Sequence, residues 1–176
     1  MAWRGSNRMT APKHPPGEVL ILYGTLKPRA KGYPAWLHLS AAGTPLGPAR
    51  FYGRMFDFGK YPGVQLDGDT LCHGELFQVD NPDLWPVLDA YEDVNWHLPE
   101  QGEFQRVQID VLDDYGEPIG IKAWIYEHRM PEWTKGYPTL KSGNWPVERT
   151  PPKRRFGPSA DTIDLASHRK ATDAKP

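Results

Sequence analysis

Four apolar residues, Val19-Leu20-Ile21-Leu22, run without polar interruption into Tyr23-Gly24-Thr25-Leu26. A run with no alternation suits a strand covered on both faces, so the rest of the chain must supply packing on either side of it. Where the strand stops, Gly24 permits backbone angles, or a close ligand approach, that a Cβ would obstruct. The loop that follows exposes backbone N–H groups and the Thr25 hydroxyl, a natural small anion site. The same pattern also serves as an ordinary strand-ending turn, so the rest of the chain has to decide between the two.

Alternation from Thr70 to Val79 predicts a second strand, with Leu71, His73, Glu75, Phe77 and Val79 on one side and Cys72, Gly74, Leu76 and Gln78 on the other. Val107-Ile109-Val111, the turn signal Asp113-Asp114-Tyr115-Gly116 and Ile119-Ile121-Ala123-Ile125 predict a β-hairpin. Between these regions, Leu84, Val87, Leu88 and Tyr91 recur at helical spacing, with Asp80 or Asn81 placed to cap the start. Pro86 is expected to split this stretch into a turn and a short helix. A buried stripe of Val87, Leu88 and Tyr91 would leave Asp89 and Glu92 on its flank.

Nineteen prolines and seventeen glycines point to a turn-rich, largely β domain rather than a helical bundle. With 176 residues, 39% of them hydrophobic, the chain can enclose one ordinary core, and a formal net charge of −1 gives no bulk reason to expect a nucleic-acid or membrane partner. Residues 1–17 carry Pro12, Pro15 and Pro16 and read as a flexible N-terminal arm without a signal-peptide core. The ordered domain is expected over 18–145, and the polar run over 146–176 reads as a flexible tail. Its Lys153-Arg154-Arg155 cluster is read as a solvated patch.

Cys72 is the one cysteine and cannot form an internal disulfide, and no spaced His pair accompanies it to make a metal site. On a strand it points away from His73, so the two cannot form a thiolate–imidazole pair, and a buried small hydrophobe is the better account. His38, His73, His97 and His128 share no ligand spacing and receive no catalytic role. A reducing, cytoplasmic setting and a monomer are the expectations for a chain of this size and charge balance.

Six motifs in order, Tyr23-Gly24-Thr25-Leu26-Lys27, Gly59-Lys60-Tyr61-Pro62-Gly63, His73-Gly74-Glu75-Leu76, Leu88-Asp89-Ala90-Tyr91-Glu92, Phe104-Gln105-Arg106-Val107 and Ser142-Gly143-Asn144-Trp145, resemble the gamma-glutamylcyclotransferase-like family. The resemblance covers about Val19 to Trp145. It implies an α+β fold, a compact mixed β-barrel with short flanking helices. It also implies a reaction in which the free α-amine of a γ-glutamyl group attacks its own γ-carbonyl, giving 5-oxoproline and a free amine or amino acid.

Such a cyclisation needs no metal, nucleotide or oxidisable cofactor, because nucleophile and electrophile belong to one small γ-glutamyl molecule. Glu92 matches the family's acid/base glutamate, which would take a proton from the amine and hand it to the departing nitrogen. A partly dry pocket, with Trp85 and Tyr91 excluding water, would lift its pKa toward the working pH. Tyr23, Gly24, Thr25 and Leu26 match the family's substrate loop, and Tyr126, late on the predicted hairpin, is carried as a further substrate contact. Many relatives have Gly-Tyr where this chain has Asp93-Val94, and Tyr where it has Phe104, which bears on specificity. A catalytically silent binding module on the same fold, or an interaction protein recruiting through its ends, remain as alternatives.

Overall fold

The computed structural model describes residues 10–147. Five strands, β1 (Glu18–Leu22), β2 (Gly43–Asp57), β3 (Pro62–Val79), β4 (Phe104–Leu112) and β5 (Pro118–His128), combine with two short helices, α1 (Leu39–Ala42) and α2 (Leu84–Tyr91). The class is mixed α+β. β3 pairs antiparallel with both β1 and β2, and β4 pairs antiparallel with β5. The order β1-β3-β2-β4-β5 returns on itself through two narrow contacts, Arg50 opposite Leu112 and the parallel pair Leu20 with Trp124.

The uninterrupted apolar run of β1 follows from two cores meeting at one strand. Ile21 belongs to a cluster with Phe51, Met55, Val64, Cys72 and Ile125. Its neighbours Leu20 and Leu22 belong to a second cluster, in which Leu84, Trp85 and Leu88 of α2 pack against Phe77 and Phe104. Alternate side chains of a strand point to opposite faces, so neither face of β1 tolerates a polar residue. Complete burial of a side chain such as Leu20 or Leu88 is worth about 1.5–3 kcal/mol.

The predicted hairpin forms as β4 and β5, and its turn is closed by Asp113, whose carboxylate accepts the N–H groups of Tyr115 and Glu117 while Gly116 takes a φ of +83°. The strand expected over 70–79 is the second half of β3, which begins at Pro62. No strand is predicted for the segment that becomes β2. It bends through two register shifts, between Pro45 and Gly47 and between Gly53 and Arg54, so prolines and glycines that usually break a strand here sit at its irregularities.

α2 departs from expectation in three ways. Pro86 does not split it, because it falls in the first turn, where the missing N–H has no intrahelical acceptor to lose. The buried stripe is Leu84, Trp85, Leu88 and Asp89, while Val87 is exposed. The residue at the helix start is Asp83, with no side-chain cap, so neither Asp80 nor Asn81 caps the helix; the Asn81 side-chain oxygen instead accepts the Asp83 N–H in the turn before it.

Residues 10–17 lie along the domain, and the His14 ring packs 4.7 Å from that of Trp85. At the other end, Ala30 bridges Val147 and the Lys31 N–H donates to the Pro146 oxygen at 3.2 Å. The remainder of the expected arm and tail, residues 1–9 and 148–176, lies outside the described residues. Among the described residues no helix is long and apolar enough to cross a membrane.

Candidate functional site

The loop after β1 turns at once: the Lys27 N–H donates to the Gly24 oxygen at 3.1 Å. A Cβ on Gly24 would lie 2.9 Å from the Pro62 ring, so glycine is required by close approach to β3. Lys27 then reaches across the molecule, its buried ammonium donating to the Asn144 side-chain oxygen at 2.8 Å and the Trp145 carbonyl at 2.7 Å. Trp145 returns the contact through its indole N–H, which donates to the Lys31 oxygen at 3.1 Å. Two of the sequence motifs, far apart in the chain, are therefore one clamp that fixes the loop.

The second wall comes from the end of α2. Glu92 caps the helix, its N–H donating to Leu88 at 2.9 Å. The chain then turns through Asp93 at a φ of +51°, with Asp93 N–H to Ala90 and Val94 N–H to Asp89 completing the paired bonds of a Schellman ending. That position favours glycine. Asp93 is accommodated there because a short polar side chain tolerates the left-handed region, so the departure from Gly-Tyr leaves the helix end intact. Tyr91 closes the gap between the walls, its hydroxyl 3.0 Å from Thr25 Oγ1.

Asp89 and Glu92 do not share a role. Asp89 is buried beneath the helix, accepting from the Trp96 indole at 2.9 Å and the Tyr126 hydroxyl at 2.8 Å, and facing Arg106 at 3.3 Å. Arg106 lies over Trp85, 4.4 Å from its ring centroid, and takes His14 Nε2 as a further partner at 2.8 Å. Trp85, expected to shield Glu92 from water, instead serves this buried network.

Glu92 faces the opposite way, into a cavity of about 640 Å³ bounded by Tyr23, Gly24, Thr25, Leu26, Tyr91, Glu92 and Tyr126 with residues of β3 and β4. All six residues singled out from the sequence therefore border one cavity. Their chemistry differs from expectation in two places. The Tyr23 phenol points into the core and donates to the Tyr126 carbonyl at 2.7 Å, and the Tyr126 phenol is held by Asp89, so neither hydroxyl is free to grip a ligand. Phe104 fills its place on the cavity wall as a buried ring.

Burial pushes the Glu92 carboxyl up to about 8, with the negative charges of Glu103 and Asp89 adding to the effect. Glu103 was not singled out from the sequence. It lies just before β4, and its Oε1 accepts from the Tyr61 hydroxyl and, at 3.1 Å, from His128 Nε2. Two exposed cations, Lys31 and Lys60, complete the charged lining. Cys72 is fully buried in the core, away from this cavity, and among the described residues no cluster of His, Cys, Asp and Glu could hold a metal ion.

A family model described as gamma-glutamyl cyclotransferase, AIG2-like, matches residues 20–147. Among solved structures, an uncharacterized protein from Pyrococcus horikoshii is 20% identical at a TM-score of 0.51, over 88% of this chain and 98% of that one. An AIG2-like protein from Mus musculus is 18% identical at a TM-score of 0.51, over 76% of this chain and 97% of that one. YkqA from Bacillus subtilis, 24% identical at a TM-score of 0.51, is matched over 73% of this chain but only 39% of its own. At these identities the likeness speaks for the fold. No curated protein matches the sequence.

Proposed function

The chain belongs to the AIG2-like gamma-glutamyl cyclotransferase family, and on that footing we propose that it closes the γ-glutamyl part of a small molecule into 5-oxoproline and releases the attached amine or amino acid. The observation that carries this reading is Glu92: a carboxyl lifted to about 8, facing a cavity whose other wall is the 23–26 loop. The returning strand order supports reading the sheet as a compact mixed barrel, with α2 delivering Glu92 to its flank.

The N–H groups of Thr25 and Leu26 have no backbone acceptor among the described residues and suit the glutamyl α-carboxylate, or the oxygen of the γ-carbonyl as charge builds on it. With the glutamyl chain folded against that loop, the amine nitrogen attacks the γ-carbon. The ionised Glu92 takes the proton this nitrogen sheds, and the neutral acid returns it to the leaving nitrogen as the original amide C–N bond breaks. No water is consumed and Glu92 ends as it began. A carboxyl with a pKa near working pH can perform both transfers, which an ordinary surface glutamate does poorly.

A panel of γ-glutamyl amines, γ-glutamyl amino acids and glutathione, assayed for 5-oxoproline by chromatography, tests the reading. Release from at least one compound is expected. Saturable binding with no release from any of them would favour the silent binding module.

A further inference from the structure

The cavity contains a second carboxylate that the acid/base scheme does not use. Glu103 is held from two sides: the Tyr61 hydroxyl and His128 Nε2 both meet its Oε1. The direction of the His128 contact follows from the other ring nitrogen. Nδ1 accepts the Met130 N–H at 3.0 Å, so the proton of the neutral ring is on Nε2 and is donated to Glu103. The imidazole is fully buried, between Phe58 at 4.6 Å and Phe104 at 4.7 Å, so it cannot swing away. Two donors converging on one oxygen suit a carboxylate anion and leave Oε2 without a partner among the described residues, on a residue that borders the cavity.

From this arrangement we infer that Glu103 receives the α-ammonium of the substrate, leaving Glu92 to move the proton. The inference rests on the γ-glutamyl reading of the cavity. The charges divide accordingly. Burial favours the neutral form of both Glu92 and His128, and Lys31 and Lys60 repel an ammonium, so Glu103 is the fixed anion to which the incoming cation is drawn. Docked there, the ammonium lies in the same cavity as Glu92, and its charge favours ionisation of that carboxyl just when a base is required.

The test compares two ligands differing only in the amine: γ-glutamyl methylamide and glutaric acid monomethylamide. Binding is measured by calorimetry at about pH 6.5 in a Glu92→Gln background, which keeps the first compound from being consumed. The single variant should prefer the amine-bearing ligand by about tenfold or more, and adding Glu103→Gln should erase that preference while the desamino ligand still binds. Glu103→Ala repeats the comparison should the amide variant fold poorly. A preference that survives both changes at Glu103, or that is already absent with Glu103 intact, overturns the inference even if the native protein releases 5-oxoproline. Failure of both ligands to bind a folded protein overturns the γ-glutamyl reading of the cavity and the ammonium site with it.

Discussion

A carboxyl that ionises near pH 8 rather than at its ordinary value of 4.5 leaves a mark on stability as well as on rate. Well below pH 4.5 Glu92 is protonated in both folded and unfolded chains and costs nothing; as pH rises from about 4.5 to about 8, the unfolded chain has given up the proton that the native one still holds, so the native state loses ground, and above about 8 the loss is complete. Glu92→Gln should therefore melt with the native protein at about pH 4 and several degrees above it at about pH 9, read from thermal unfolding across pH. A variant less stable at both values would make Glu92 a structural residue. In kcat/KM, the same ionisation should appear as an acid limb with a midpoint near 8, and Glu103→Gln should move it to lower pH because a negative neighbour has been removed. The family resemblance singles out Glu92 through the contiguous motif Leu88-Asp89-Ala90-Tyr91-Glu92, whereas helical spacing alone places it only on a flank. Glu103 escaped because it stands just outside the six motifs and its meaning comes from Tyr61 and His128, 42 and 25 residues distant. Asp89, the other carboxylate on the helix flank, is a buried acceptor for two groups and the ion-pair partner of Arg106, so Asp89→Asn tests the fold and not the reaction.

At the level of elements, what was legible depended on whether a rule was local. β1 follows from its uninterrupted apolar run, and the β4–β5 hairpin from side-chain period and turn chemistry. β2 does not, since Pro45, Gly47, Pro48 and Gly53 deny the period while its long pairing with β3 supplies the structure. α2 was placed correctly but divided wrongly, because a proline's cost depends on which turn it occupies. The left-handed Asp93 yields a test of the helix ending: Asp93→Gly should be close to neutral, whereas Asp93→Ala should cost about 1 kcal/mol in denaturant unfolding, a Cβ without the polar tip being penalised there. The clamp between the 23–33 loop and the 142–147 segment gives a larger effect. Lys27→Ala strands the Asn144 side chain and the Trp145 carbonyl and should lower stability by about 2–3 kcal/mol. It should also weaken binding at the cavity, since Gly24, Thr25 and Leu26 would lose their anchor.

Across the whole molecule, β1 separates the two apolar cores, and the cavity opens where that strand ends between them. The buried Arg106, with Trp85, Trp96 and Trp124 around it, ties β4 to α2 through Asp89 and to the N-terminal segment through His14. A flexible arm over residues 1–17 predicts no loss on removing His14. The packing predicts one: His14→Ala should lower the melting temperature by several degrees, roughly 1–3 kcal/mol, by opening the tryptophan cluster. Proline content suggested a loose arm there because composition carries no record of a long-range contact. The central claim, that this scaffold exists to present Glu92 to a folded γ-glutamyl chain, is tested most directly by the rate of 5-oxoproline release from the best compound of the panel, native against Glu92→Gln, with both proteins shown to be folded. The account predicts steady release by the native protein and a loss of about 100-fold or more in the variant. Equal rates from the two would contradict it.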